Sequence, residues 1–245
     1  MFNGLLCYYY YGIGNGLYFN AYTLVFIALI AVMIIGLVVQ ARLNSMFKKY
    51  SKVRSASGKT ANEVARELIA NGGCDTAVTS VAGSLTDHFN PKTNTVGLSQ
   101  SVYGSDSVAA LAVAAHEIGH VMQYKEDYLP IKIRNAVLPI ANIGSMFAPY
   151  IVLFGLIFSS FGIAMIGVYL YAAVLGFQLV TLPVEFNASS RAVNMLVGGG
   201  YITREEAPGA KKVLRMAATT YVVATLATLI SLIRLMLIAN SSRRD

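Results

Sequence analysis

The sequence predicts a mainly α membrane protein with about four transmembrane helices and a small cytoplasmic α+β domain. Three observations lead there. Hydrophobic residues make up 56% of the chain and charged ones only 13%, against roughly 25% charged in an ordinary soluble domain. Four stretches are apolar over about the 20 residues that a helix needs to cross a ~30 Å hydrocarbon layer. Between the first and second of them lies a polar segment of about 95 residues, long enough for a small domain.

The four predicted spans lie near Leu17 to Val39, Leu138 to Ser159, Ile163 to Leu182 and Ala217 to Ile238. No positive residue precedes the first, and its apolar core is longer than the h-region of a signal peptide, so it reads as a retained anchor. The preceding Met1 to Tyr18 is uncharged and tyrosine-rich, a composition suited to the membrane interface. Cytoplasmic loops collect Lys and Arg. Eleven fall between Arg42 and Arg134, and Arg191, Arg204, Lys211, Lys212 and Arg215 follow the third span. A hairpin of two spans between these segments puts both in the cytoplasm and the N-terminus outside. The resulting order is an N-terminal segment with the first span (1–41), a cytoplasmic catalytic domain (42–136), a transmembrane hairpin (137–183), a second cytoplasmic segment (184–216) and the last span with its tail (217–245). This last span is the weakest of the four, because Arg234 sits deep within it and Arg243 and Arg244 follow it. The net charge of +7 is thus a topological signal. No basic and aromatic interleaving points to nucleic acid. Cys7 and Cys74 fall on opposite sides of the membrane and do not pair.

Within the first cytoplasmic segment, Thr60-Ala61-Asn62-Glu63 reads as a capping box opening a helix that stops at Gly72-Gly73. Thr76 to Val81 and Asn94 to Ser99 read as a two-stranded ribbon, with Asp87 to Pro91 as turn material between them. Ser105 or Asp106 then caps a helix from Ser107 to about Tyr124. Further on, Thr203 to Glu206 is a second capping box, and Gly198-Gly199-Gly200 ends the helix before it.

The helix over 107–124 carries His116-Glu117-Ile118-Gly119-His120, an HExxH motif that uses two of the three histidines in the chain. Residues i and i+4 share a helix face, so both imidazoles can close on one metal ion. A catalytic zinc takes three protein ligands and keeps a fourth position for water. Bound water then has a pKa near 7, and a carboxylate within reach can take its proton, the place Glu117 occupies. A helix bearing HExxH beside a small sheet is a zincin-like arrangement. The third ligand is His88 or a carboxylate, and Glu185, the first charged residue after the hairpin returns, is the carboxylate so placed. His88 is also a candidate catalytic residue as oxyanion donor, with Tyr103 and Arg191 as rivals. Thr93 to Ser99 is a candidate edge strand for pairing with an extended substrate.

Three stretches, DHFNPKTNTVGLSQSVYGSDSVAALAVAAHEIGHVMQY, LPVEFNASSRA and GAKKVLRMAATTYVVA, resemble the YugP-like neutral zinc metallopeptidases of bacterial membranes. That family is similar in plan to HtpX-type proteases and CAAX prenyl endopeptidases, in which a transmembrane hairpin follows HExxH and a glutamate after it is the third ligand. The resemblance implies Glu185 in that role, a membrane zinc endopeptidase as the function, one Zn²⁺ as the cofactor, and a protein or peptide substrate, itself membrane-associated, as the partner. Those relatives often carry an acidic residue a few positions after the ligand, where this chain has Asn187 and Ser189.

Two other readings compete. Ser107 to Met122 is apolar enough for an intramembrane site-2-type protease, but at about sixteen residues it is short for a span, and a span there would invert the charge rule for eight positive residues. A non-enzymatic membrane scaffold with a vestigial motif is the other, and metal content separates it from a zinc enzyme.

Overall fold

The computed structural model describes residues 20–241. In order, these form α1 (Ala21–Tyr50), α2 (Ala61–Asn71), β1 (Ala77–Val81), β2 (His88–Asn90), β3 (Thr95–Ser99), α3 (Gln100–Tyr103), α4 (Val108–Lys125), α5 (Leu129–Ile157), α6 (Phe161–Gly198) and α7 (Ala207–Ser241). The tyrosine-rich segment Met1 to Tyr18 with Cys7, the predicted start of the first span at Leu17, and Arg243 and Arg244 lie outside the described residues. The chain forms two compact units. One comprises residues up to Leu37, Ala136–Leu179 and residues from Val223; the other comprises Val38–Asn135 and Val180–Val222.

Among the described residues four helices are long and apolar enough to cross a membrane, and the first unit takes part of each of them. Large apolar side chains such as Leu24, Phe26, Leu37, Phe154 and Tyr169 stand exposed on it, which is costly in water and neutral in lipid. Small residues bring its backbones together. A Cβ at Gly144 would meet the Leu170 backbone, one at Gly155 would meet Ala164, and one at Gly167 would lie 2.8 Å from the Ala148 carbonyl oxygen. Close approach of this kind takes the place of a hydrophobic drive between helices in lipid. The helices are longer than the predicted spans because polar residues extend a helix as readily as they end an apolar stretch. Thus α6 runs without a break from Phe161 through Pro183 to Gly198.

The second unit is an α+β body. Thr60 opens α2, its backbone N–H and hydroxyl both donating to Glu63 at 2.8 and 2.7 Å. Thr203 donates its N–H to Glu206 at 2.8 Å and accepts from the Glu206 N–H at 3.2 Å, one turn before α7. The sheet has three strands rather than two, in the order β1-β3-β2. β1 and β3 are parallel, and β2 pairs antiparallel with β3. The reason is that His88 to Asn90, expected as turn material, are extended, and Asn94 at φ 49 closes a tight connection into β3. The cap of α4 also differs. Ser107 takes it, its side chain accepting from the Ala110 N–H at 3.2 Å, because Asp106 is drawn to Arg54 at 2.7 Å.

α4 is the spine of this unit. Val108, Ala109, Ala110, Leu111, Ala112, Ala114, Ala115 and Ile118 are all fully buried, within a core that takes Val64 and Leu68 from α2, Val96 and Leu98 from β3, and Ala192 and Leu196 from α6. A helix buried on all sides is apolar on all sides. That explains the apolar run of Ser107 to Met122. The buried Ser107 cap makes a specific demand on stability: Ser107→Ala should lower the equilibrium stability of the protein in detergent micelles by about 1 kcal/mol, and an unchanged denaturation midpoint would show that the bond carries nothing.

Candidate metal centre

His116 and His120 occupy successive turns of α4, their ring centroids 4.8 Å apart and their planes at 83°. Glu185 faces them from α6. Its Oε2 lies 3.3 Å from His116 Nε2 and its Oε1 3.8 Å from His120 Nε2. One ligand atom from each of the three lies within 4.8 Å of the others. The two helices meet this closely because position 119 is glycine. A Cβ there would stand 2.7 Å from the Ala188 carbonyl oxygen and 3.1 Å from its Cα, so α4 and α6 touch backbone to backbone midway along the motif.

The remaining ring nitrogens are tied down. His116 Nδ1 lies 3.2 Å from the Ser189 hydroxyl, and His120 Nδ1 lies 2.9 Å from Gln123 Oε1. Both Nε2 atoms therefore point to Glu185. The Gln123 amide nitrogen donates to the Val184 carbonyl at 2.8 Å and to Asn187 Oδ1 at 3.0 Å. Asn187 Oδ1 also accepts from Arg191 Nε at 2.8 Å, and the Arg191 guanidinium binds both carboxylate oxygens of Glu126 at 2.8 and 2.6 Å. Gln123, fully buried, was not among the residues nominated from sequence. The signal that would have found it is its i+3 spacing from His120. Tyr221 reaches the carboxylate of Glu185 as a further hydrogen-bonding partner, again without any motif to announce it.

Glu117 is 8% exposed. Burial is the main cause that pushes its carboxyl up to about 7; His116 opposes this, while the charges of Glu185 and Asp87 add to it. Burial also holds His120 down at about 4, with His116 adding to the effect, so that ring is neutral and its nitrogen lone pair is free for a metal. Burial lowers His116 too, but the hydrogen bond to Glu185 and the charges of Glu117 and Glu185 outweigh it and raise the ring above its usual value.

His88 stands apart from the three convergent groups. It is exposed on β2, its ring over Gly97 of β3, and its charge is felt at Glu117. Nδ1 lies 2.9 Å from the Thr86 carbonyl, which only accepts, so Nδ1 carries the proton. Nε2 can then donate to an oxyanion only when the ring is the imidazolium. Of the rival donors, Arg191 is engaged by Glu126 and Asn187, and Tyr103 is within 3.4 Å of Arg66. The expectation that Thr93 to Ser99 forms a sheet edge is corrected, because β3 is the middle strand, hydrogen-bonded on both sides. The strand packed on α4 with an outer edge is β2, through Phe89 edge-to-face on Tyr124 at 5.4 Å.

The model of the family described as "Putative neutral zinc metallopeptidase" matches residues 25–240. The chain belongs to this family. It is also 42% identical over 207 residues to the "Putative membrane protease YugP" of Bacillus subtilis (strain 168), a match covering 84% of this chain and 92% of that protein. No solved structure matches it. Zinc is the metal the family implies, and the residues fit it. Two neutral-capable imidazoles and one carboxylate are a donor set used by catalytic zinc, each imidazole has its second nitrogen engaged, and a carboxylate only 5% exposed between two rings is better served by a cation than by vacuum-like burial.

The backbone contact at Gly119 makes the site sensitive to a single methyl group. Alanine favours an isolated helix over glycine by about 1 kcal/mol, yet Gly119→Ala should destabilise the protein by about 1–3 kcal/mol and weaken its zinc binding, since backbone atoms of Ala188 cannot rotate away. Chelator competition and denaturation of the variant check this, and a Gly119→Ala protein with wild-type affinity and stability would show that the helices part freely.

Proposed function

We propose that this protein is a multi-pass endopeptidase of the cell membrane that hydrolyses peptide bonds in membrane or membrane-proximal proteins at the cytoplasmic face, with one zinc ion. The observation that carries the reading is the convergence of His116, His120 and Glu185, with ligand atoms within 4.8 Å of one another and Glu117 one residue along from the first. A zinc ion bound there supplies the Lewis acid that makes water a nucleophile near neutral pH. Glu117 takes the proton of the attacking water on a carboxylate oxygen and passes it to the departing amine. Burial raises the Glu117 carboxyl, which favours its taking up that proton. His88, with Nδ1 held by the Thr86 carbonyl, is the candidate donor to the carbonyl oxygen as charge develops there. An extended substrate adds to the outer edge of β2 rather than to β3.

The burial of α4 within an α+β core supports a zincin-like domain outside the hydrocarbon layer over a site-2-type arrangement, in which the same helix would face lipid. The concentration of Lys and Arg in 42–134 and 191–215 supports the cytoplasmic side for that domain and the outside for the N-terminus.

Protein purified without chelators should hold about one zinc per chain, with sharp loss in His116→Ala and Glu185→Ala. Glu117→Gln should keep its zinc and lose turnover of casein or a membrane-protein substrate by about 10²–10⁴-fold, the share of a general base, and His88→Ala should likewise lower kcat with zinc retained. Full zinc occupancy in Glu185→Ala would remove the third ligand; absence of zinc from the wild type would remove the metal centre. For topology, an impermeant maleimide should label Cys7 in intact cells carrying Cys74→Ser, and should reach an introduced Lys52→Cys only after permeabilisation. The reverse pattern would invert the orientation.

A further inference from the structure

We propose that Gln123 is a positioning residue that sets the tautomer of His120 and locks the two ligand-bearing helices in register, through a hydrogen-bond relay that runs Gln123, Asn187, Arg191, Glu126. The inference rests on the metal reading above, and it concerns residues no zinc motif contains.

The polarity of the relay is determined at both ends by groups that cannot exchange roles. The Val184 carbonyl only accepts, so the Gln123 group facing it at 2.8 Å is the NH₂. Its Oε1 is then turned to His120 Nδ1 at 2.9 Å. An amide oxygen only accepts, so Nδ1 carries the proton and Nε2 presents its lone pair toward Glu185. At the far end Arg191 Nε only donates, so the Asn187 group facing it at 2.8 Å is the oxygen, the same atom that accepts from Gln123 at 3.0 Å. Arg191 in turn binds both oxygens of Glu126, the C-cap residue of α4. The ring is closed: it leaves α4 at Gln123, crosses to α6 at Val184 and Asn187, and returns to the end of α4 at Glu126. Val184 immediately precedes Glu185, so the amide that orients one ligand is bonded to the backbone that carries another.

Gln123 is fully buried and Glu185 nearly so. A buried amide with all its bonds made is rigid, whereas one with a lost partner is left unsatisfied in a core. Related metal sites commonly orient the ligand histidine with a carboxylate. Here a neutral amide does it, and the negative charge sits three residues further along the relay, on Glu126, paired with Arg191. Ser189 serves the other ring separately, so the two imidazoles are held by independent devices.

The chain has three histidines, which makes the tautomer directly observable by ¹⁵N-histidine NMR of the full-length protein in micelles, with zinc removed. In the wild type the His120 ring should show a protonated Nδ1 and an unprotonated Nε2. Gln123→Met should abolish that preference and raise the zinc dissociation constant roughly ten- to a hundredfold, while Gln123→Glu, which keeps an acceptor for Nδ1–H but loses the donor to Val184 and Asn187, should keep the tautomer and lower the stability of the protein. Ser189→Ala should disturb the His116 signals and leave those of His120 in place. If Gln123→Met does not fold, Gln123→Asn, whose shorter amide cannot span from the Val184 carbonyl to His120 Nδ1, should give the same two changes. A folded Gln123→Met, or Gln123→Asn in its stead, with wild-type tautomer and wild-type zinc affinity overturns the proposal. A wild type that binds no zinc but shows the Nδ1–H tautomer lost on Gln123→Met would overturn the metal reading and leave the relay standing.

Discussion

The backbone contact between Gly119 of α4 and Ala188 of α6 is the constraint on which the rest of the site depends. With a Cβ at position 119 only 2.7 Å from a carbonyl oxygen, the helices could not approach closely enough for a short carboxylate side chain to stand between two imidazoles. Every other feature follows from that separation. Glu185 comes within 3.3 and 3.8 Å of the two Nε2 atoms, Ser189 one turn later reaches His116, and Val184 and Asn187 flank Gln123. A glycine that looks like filler within HExxH is the residue that sets the spacing between the two ligand-bearing elements.

The same closeness creates an electrostatic problem. Two carboxylates, Glu117 and Glu185, are buried within one site, with the carboxylate of Asp87 near enough to add to the raising of Glu117. Burial of a charge is costly without a partner, and the site answers in two ways. Glu185 is surrounded by hydrogen-bonding groups, whereas Glu117 is left with a raised carboxyl that can hold a proton. Neighbouring acids are thereby given different environments, the separation that the proposed roles of Glu185 and Glu117 require. His120 is oriented by the neutral amide of Gln123, and the charged pair at the far end of the relay, Arg191 and Glu126, lies where Glu126 is exposed to water.

Much of the fold was legible because it depends on local properties. The four long apolar helices, the two capping boxes at Thr60 and Thr203, and the helix ending at Gly198 are all consequences of residues close in sequence. The two histidines of HEIGH are likewise a matter of helical period. What was misread in the α+β unit has a common cause. His88 to Asn90 carry polar residues typical of a turn, yet they form β2, since β3 offers them a ladder that no local propensity reveals. Asp106 is as good a cap as Ser107 by type, and loses that place to Arg54, which is distant in sequence.

The amino-acid sequence by itself determined the membrane class, the helix bearing two imidazoles and a carboxylate, and the order of the elements, because composition, period and capping act over a few residues. Only the tertiary structure decided which strand is the sheet edge beside α4, that Gln123 and Ser189 hold the rings of His120 and His116, and that Asn187 links Gln123 to Arg191. The contacts that hold the rings join residues 61 and 73 positions apart, Gln123 with Val184 and His116 with Ser189. The directional chemistry of donors and acceptors becomes specific only once packing has brought the groups within about 3 Å.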